Sequence, residues 1–156
     1  MIQRIQSIYL LVAGLVTIVL LFIPIGTLTS ELGFYTYTPF TVHVINTDLV
    51  VAKTYFVAIL LSLSSIISFV TIFLYKKRKL QVRLINFNML VILATLLTML
   101  YIYPKFVFSK ISELNNTVLD YNYVILIIAL TAMGFYMAKK AILKDEALVR
   151  SSERLR

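Results

Sequence analysis

Cysteine is absent from this 156-residue chain. Its absence excludes disulfides, a thiolate nucleophile, a thiol redox couple and any cysteine-held metal. Histidine occurs once, as His43, too few for a clustered metal site. Phosphate-cradling loops and dinucleotide fingerprints are missing as well. Charge is scarce: 14% of residues are charged and 60% hydrophobic, against soluble averages of about 25% and 45–50%. So short a chain cannot bury that much apolar side chain in its own core. A lipid bilayer is the natural second solvent.

What is present are four long runs without charge. Arg4 to Glu31, Lys53 to Lys76, Arg83 to Lys105 and Asp120 to Lys139 each enclose one. Each run reaches the roughly 17–25 residues with which a helix crosses hydrocarbon, and none alternates as a barrel strand does. The sequence therefore predicts an all-α, integral membrane four-helix bundle of up-down-up-down order. It forms a single domain over 1–156, with spans at about 5–25, 54–75, 84–104 and 121–138. The first run exceeds the 7–15 apolar residues of a secretory signal core, and "FIPIG" reads as that helix stopping near Pro24.

Orientation follows from basic residues, which stay on the cytoplasmic side. One side carries Arg4, five Lys or Arg in "KKRKLQVR" and six in the tail, against only Lys53, Lys105 and Lys110 on the other. Both termini are thereby placed inside. Tyr55, Tyr101, Tyr103, Tyr121 and Tyr123 gather at the outer borders, a depth that suits an apolar ring with a wet hydroxyl.

The first outer loop, Thr29 to Lys53, is rich in Thr, Tyr, Phe and Val. It reads as a short hairpin or extended cover interrupted by Pro39. After Gly134 neither glycine nor proline occurs, and the remaining residues favour helix. The last span is expected to continue unbroken from about Tyr121 to near Arg156, its tail 139–156 projecting on the order of 25 Å. Ile142, Leu148, Ser152 and Leu155 trace a narrow apolar stripe along it.

No Asp, Glu, Lys, Arg or His falls inside a predicted span, which removes the usual mark of proton relays and coupled transport. A serine nucleophile needs a base within reach, and "SLSSIIS" has none near it. The serines instead read as small contacts between helices, as do Gly134 and Ala138. Asp145 and Glu146 are adjacent, so they point to different helix faces. No enzyme activity, metal or cofactor is expected. The basic inner surface suits anionic lipid headgroups, at about 1 kcal/mol per basic residue near the surface, rather than a specific nucleic acid. Gln3 and Gln6, with Asn86 and Asn88, are amides that link helices at that border.

The two ends, "MIQRIQSIYLL" and "KKAILKDEALVRSSERLR", resemble the bacterial membrane-protein family known as domain of unknown function 4293, along the whole chain. The resemblance implies a bacterial cytoplasmic membrane and transfers no catalytic residue. Its family-like positions here are Gln3, Arg4 and Gln6 at one end, with Lys144, Asp145, Glu146, Arg150, Arg154 and Arg156 at the other. These are the candidate contact residues of an accessory protein that presents a charged cytoplasmic helix to a protein partner or a second copy. The alternative is a small channel or transporter for neutral or lipid-like molecules, lined by Thr17, Ser64, Ser68, Thr95, Thr98 and Thr131.

Overall fold

The computed structural model describes residues 3–30, 33–45, 49–75, 77–110 and 118–154. In chain order they form α1 (Gln3–Val19), β1 (Gly26–Ser30), β2 (Gly33–Tyr37), β3 (Thr41–Val44), β4 (Val50–Lys53), α2 (Tyr55–Phe73) and α3 (Arg78–Leu97). A π-helical turn (Thr98–Ile102) then leads into α4 (Tyr103–Lys110), β5 (Val118–Tyr121) and α5 (Val124–Arg154).

Burial along the long helices follows steps of four and three. Gln6, Leu10, Ala13 and Thr17 are buried on α1, and Val57, Leu61, Ser64, Ser68 and Thr71 on α2. On α3 they are Gln81, Ile85, Asn88, Ile92 and Thr95; on α5, Val124, Ile128, Thr131, Phe135, Ala138, Ile142 and Asp145. That 3.5-residue period is the heptad seam that interlocks helices crossing at small angles. Each helix has two principal neighbours: α1 lies against α2 and α5, and α3 against the same two. Small side chains set the tightest approach, where Ser68 Oγ donates to the Leu10 carbonyl at 2.6 Å and Ser65 Oγ to that of Gly14 at 3.3 Å.

The expectation of an all-α four-helix bundle is overturned. Five antiparallel strands form one sheet in the order β4-β3-β2-β1-β5, so the fold mixes α and β. The segment between α1 and α2 makes four of the strands. Its alternation points Leu28, Tyr35, Tyr37, Val42 and Ala52 into the core and leaves Thr27, Thr36 and His43 half exposed. Pro39 lies in the bend between β2 and β3, where it removes no ladder bond. There Thr38 donates to the Thr41 carbonyl at 2.7 Å, and Thr54 ties the bend to α2 through the Thr38 carbonyl at 2.8 Å. The fifth strand comes from the segment between α4 and α5 and pairs Gly26 with Tyr121 and Leu28 with Leu119. The sheet sits at one end of the helices, with the basic segments at the other.

The span boundaries change too. α1 ends at Val19, five residues before Pro24, and relaxes through turns in which Leu21 bonds to Ile18 and Phe22 to Val19. Three helical stretches are long and apolar enough to cross a membrane: Tyr55–Phe73, Arg78–Val107 and Val124–Val149; Ile5–Val19 is apolar but shorter. α3 starts at Arg78, inside the basic segment read as a loop, because Gln81 and Ile85 already belong to the seam. The helix also passes Pro104 rather than ending there. A proline has no N–H to give; the π-helical turn just before it takes up the defect, Tyr103 N–H bonding back to Thr98. Pro104 would otherwise have answered the Met99 carbonyl, which is approached instead by the Tyr121 hydroxyl at 3.4 Å.

Two glycine and tyrosine positions at the sheet make measurable predictions. A Cβ on Gly26 would lie 2.5 Å from the Asp120 carbonyl oxygen, so Gly26→Ala is expected to push β5 off the sheet. Faster amide exchange over Val118–Tyr121, with the helices unchanged, is the readout. The Tyr37 hydroxyl is buried without a hydrogen-bond partner. Burial first, then the neighbouring phenols of Tyr103 and Tyr121, pushes its ionisation well above the ordinary tyrosine range. A folded-state value above the unfolded one means stability is fully present below pH ~10 and lost as pH rises beyond it. Tyr37→Phe should therefore leave neutral stability unchanged or raise it by up to about 1 kcal/mol, and flatten the alkaline loss in a pH series of thermal melts.

Candidate functional site

At the end remote from the sheet, polar seam residues from all four long helices close the core. Gln6 of α1 donates from Nε2 to the Asp145 carboxylate at 2.8 Å and to the Ala141 carbonyl at 3.2 Å. Arg78, at the start of α3, reaches the Asp145 backbone carbonyl at 3.5 Å. Gln81 donates to the Thr71 carbonyl of α2 at 2.9 Å, while Thr71 bonds back to Ile67 at 2.6 Å. Desolvated groups of this kind persist because each has a partner.

This geometry divides the candidate contact residues. Gln6 and Asp145 are 7% and 8% exposed and bonded to each other, so they tie α1 to α5 instead of facing a partner. Lys144 is exposed and Glu146 half buried, as adjacent helical positions require. Gln3 and Arg4 open α1, and Arg150 and Arg154 lie in the last turns of α5; Arg156 lies outside the described residues. The apolar stripe also splits: Ile142 is in the seam, whereas Leu148 is 50% exposed and Val149 beside it 41%. Leu155 lies outside the described residues. Of the two asparagines, Asn88 is buried and donates to the Ser64 carbonyl at 3.0 Å, while Asn86 is exposed.

The six hydroxyl residues considered as a polar path are all buried within the seam or beside it. Thr95, Thr98 and Thr131 each bond to a carbonyl one turn back, at 2.8, 2.7 and 2.8 Å. Thr17 bonds to Gly14 at 2.8 Å and Ser68 crosses to Leu10. Ser64 Oγ and Asn88 Oδ1 are buried without a partner. Among the described residues no three His, Cys, Asp or Glu side chains gather as metal ligands. His43 stands on the outward face of β3, across from Thr36.

Sequence reasoning missed Arg78 and Gln81 as members of this end of the core. The signal was available in the heptad spacing of Gln81, Asn88 and Thr95, but the span was bounded by charge, which left Arg78 and Gln81 in the basic segment before it.

The chain matches a family model described as domain of unknown function (DUF4293) over residues 2–155. It belongs to that family. Comparison with curated proteins finds no significant match. Membership in DUF4293 spans both polar ends of the molecule, which the fold brings to one side of the helices.

The Gln6–Asp145 pair should behave as a coupled unit. In a double-mutant cycle of Gln6→Ala and Asp145→Ala the coupling is expected at about 1–2 kcal/mol, within the range for charge-assisted and interhelical bonds. Unfolding in mixed micelles measures it; a cycle with Lys144→Ala in place of Asp145→Ala should give none.

Proposed function

We propose that this protein is a membrane-embedded accessory protein that presents the inner end of α5 to a protein partner or a second copy. In this reading α1 completes four spans, the sheet lies outside, and the basic end faces the interior of a bacterial cell across its cytoplasmic membrane. Support for the orientation comes from the basic residues, which favour the cytoplasmic side. Lys77, Lys79, Arg83, Lys140 and Lys144 are exposed at the end opposite the sheet.

One observation carries the contact surface. α5 runs without a break to Arg154, whereas its buried seam stops at Asp145. Beyond that residue Leu148 and Val149 are 50% and 41% exposed on a stretch flanked by Glu146 and Arg150, an apolar pair of the kind that helix-in-groove recognition uses. The contact set is therefore centred on Lys144, Leu148 and Val149, with the Arg150 and Arg154 positions beyond. Channel or transport activity finds less support, because all six hydroxyl residues needed for a polar path are buried and five of them bond to helix carbonyls.

The test is affinity capture from native membranes with the whole chain and with a chain ending at Glu146, which keeps the Gln6–Asp145 tie. The shortened chain is expected to retain its helical content and lose its partners. Identical partner sets from both chains would refute the reading. A chain carrying Leu148→Glu should lose them likewise.

A further inference from the structure

We propose that the outer flank of the α1–α5 contact is a binding groove for one acyl chain of an anionic phospholipid, its phosphate held near Lys144 at the level where α1 begins. The inference rests on the reading that the charged end lies at the inner headgroups. Two adjoining hollows of about 390 and 270 Å³ share Val12, Val16 and Ile127 in their walls. They extend along α1 from Ile8 to Val19, roughly 17 Å at the helical rise. One leaflet of hydrocarbon is about 15 Å deep, so the groove has the length of a single chain reaching towards the midplane.

The groove exists because α5 has no side chain where it would close. A Cβ on Gly134 would meet only the Ala13 Cβ, at 3.8 Å. The walls open outwards: Ile8, Val12 and Leu130 are between 52% and 58% exposed. Hydrocarbon itself offers helices no drive to bury such surfaces, so a close fit rather than exclusion from water selects what fills the groove.

Charge at the mouth selects the headgroup. Leu130, Met137 and Lys144 follow one another at steps of seven on α5, all exposed, so Lys144 continues the groove wall into the headgroup layer. Arg4 stands one turn before Ile8 on α1. The nearby carboxylate of Asp145 is engaged by Gln6 within the seam. An exposed lysine on the α5 side, with the Arg4 position one turn before Ile8 on α1, matches a phosphate with an acyl chain below it.

Native mass spectrometry of the purified full-length protein in mild detergent tests this, with phosphatidylglycerol and phosphatidylethanolamine of identical acyl chains added in turn. The expected result is one retained phosphatidylglycerol per chain, preferred roughly tenfold or more. Arg4→Ala or Lys144→Ala should each reduce that preference about fivefold. Gly134→Leu, which fills the groove, should abolish retention of both lipids. Val12→Phe on the exposed wall, which demands no repacking of the seam, should do the same if Gly134→Leu fails to fold.

Equal retention by the wild type and Val12→Phe would overturn the groove, and retention without headgroup preference would overturn the phosphate contact. A wild-type dimer that Val12→Phe dissociates would assign the groove to a second copy instead. The lipid readout needs no protein partner, so it can fail while partner capture by α5 succeeds, and the reverse.

Discussion

A backbone N–H or C=O removed from water needs a partner within the protein, and the far end of the third helix shows how that requirement shapes this molecule. Pro104 deprives the helix of one donor. The chain answers by widening into a π-helical turn over Thr98–Ile102, and the Tyr121 hydroxyl approaches the Met99 carbonyl from another element. The same requirement explains the sheet. Two connections meet where the helices end, and extended segments left singly there would expose their polar edges. Pairing β1 with both β2 and β5 joins two segments far apart in the chain. Both edge strands are only four residues long, and β4 carries Lys53, features that blunt further strand addition.

The helical seam obeys a different balance. In the proposed membrane setting apolar side chains gain little by leaving lipid, so close contact and hydrogen bonds must hold the helices. The polar seam members are accordingly graded. Towards the sheet they are threonines that bond to their own helix. Midway they are serines and Asn88, which reach across to α1 and α2. At the basic end they are Gln6, Gln81 and Asp145, long enough to link separate helices. Cross-links of growing reach make that end the most precisely specified part of the bundle. The element emerging from it, α5, is thus held firmly at the point where it leaves its neighbours.

Much of this was legible in the sequence, and the failures have physical causes. Charge-free runs located the helices because charge is the one thing hydrocarbon strongly opposes. The absence of glycine and proline after Gly134 announced the length of α5. The heptad seam was written as plainly, in Gln81, Ile85, Asn88, Ile92 and Thr95, but apolarity does not mark it. Exposed positions such as Leu90 and Leu93 are more apolar than the core positions beside them, so the periodicity used for soluble helices is inverted here. Strand β5 was invisible for another reason. "VLDY" is too short to carry a pattern, and its partner β1 lies about ninety residues earlier. Gln6 and Asp145 were recognised as belonging to the polar ends of the chain, yet nothing local could show that each is the other's partner.

That partnership also bears on which helix can serve as the contact element. α1 begins within the seam, at the level where Gln6 is already committed to Asp145, so it offers little helix beyond the packed region. α2 and α3 turn into each other through Leu74–Lys77, closed by the Lys77 N–H to Leu74 carbonyl bond at 2.9 Å. Among the described residues only α5 continues for more than two turns past the polar layer, and it does so as one rod whose far end is pinned beneath the sheet. There Asn122 binds the Ile25 and Pro24 carbonyls through its backbone and side-chain amides, at 2.9 and 3.2 Å. A helix pinned at one end, bonded at the polar layer and continuous between them loses little conformational freedom on docking. Such preorganisation lets a small apolar face, here Leu148 and Val149, support binding that a flexible tail of the same composition would not.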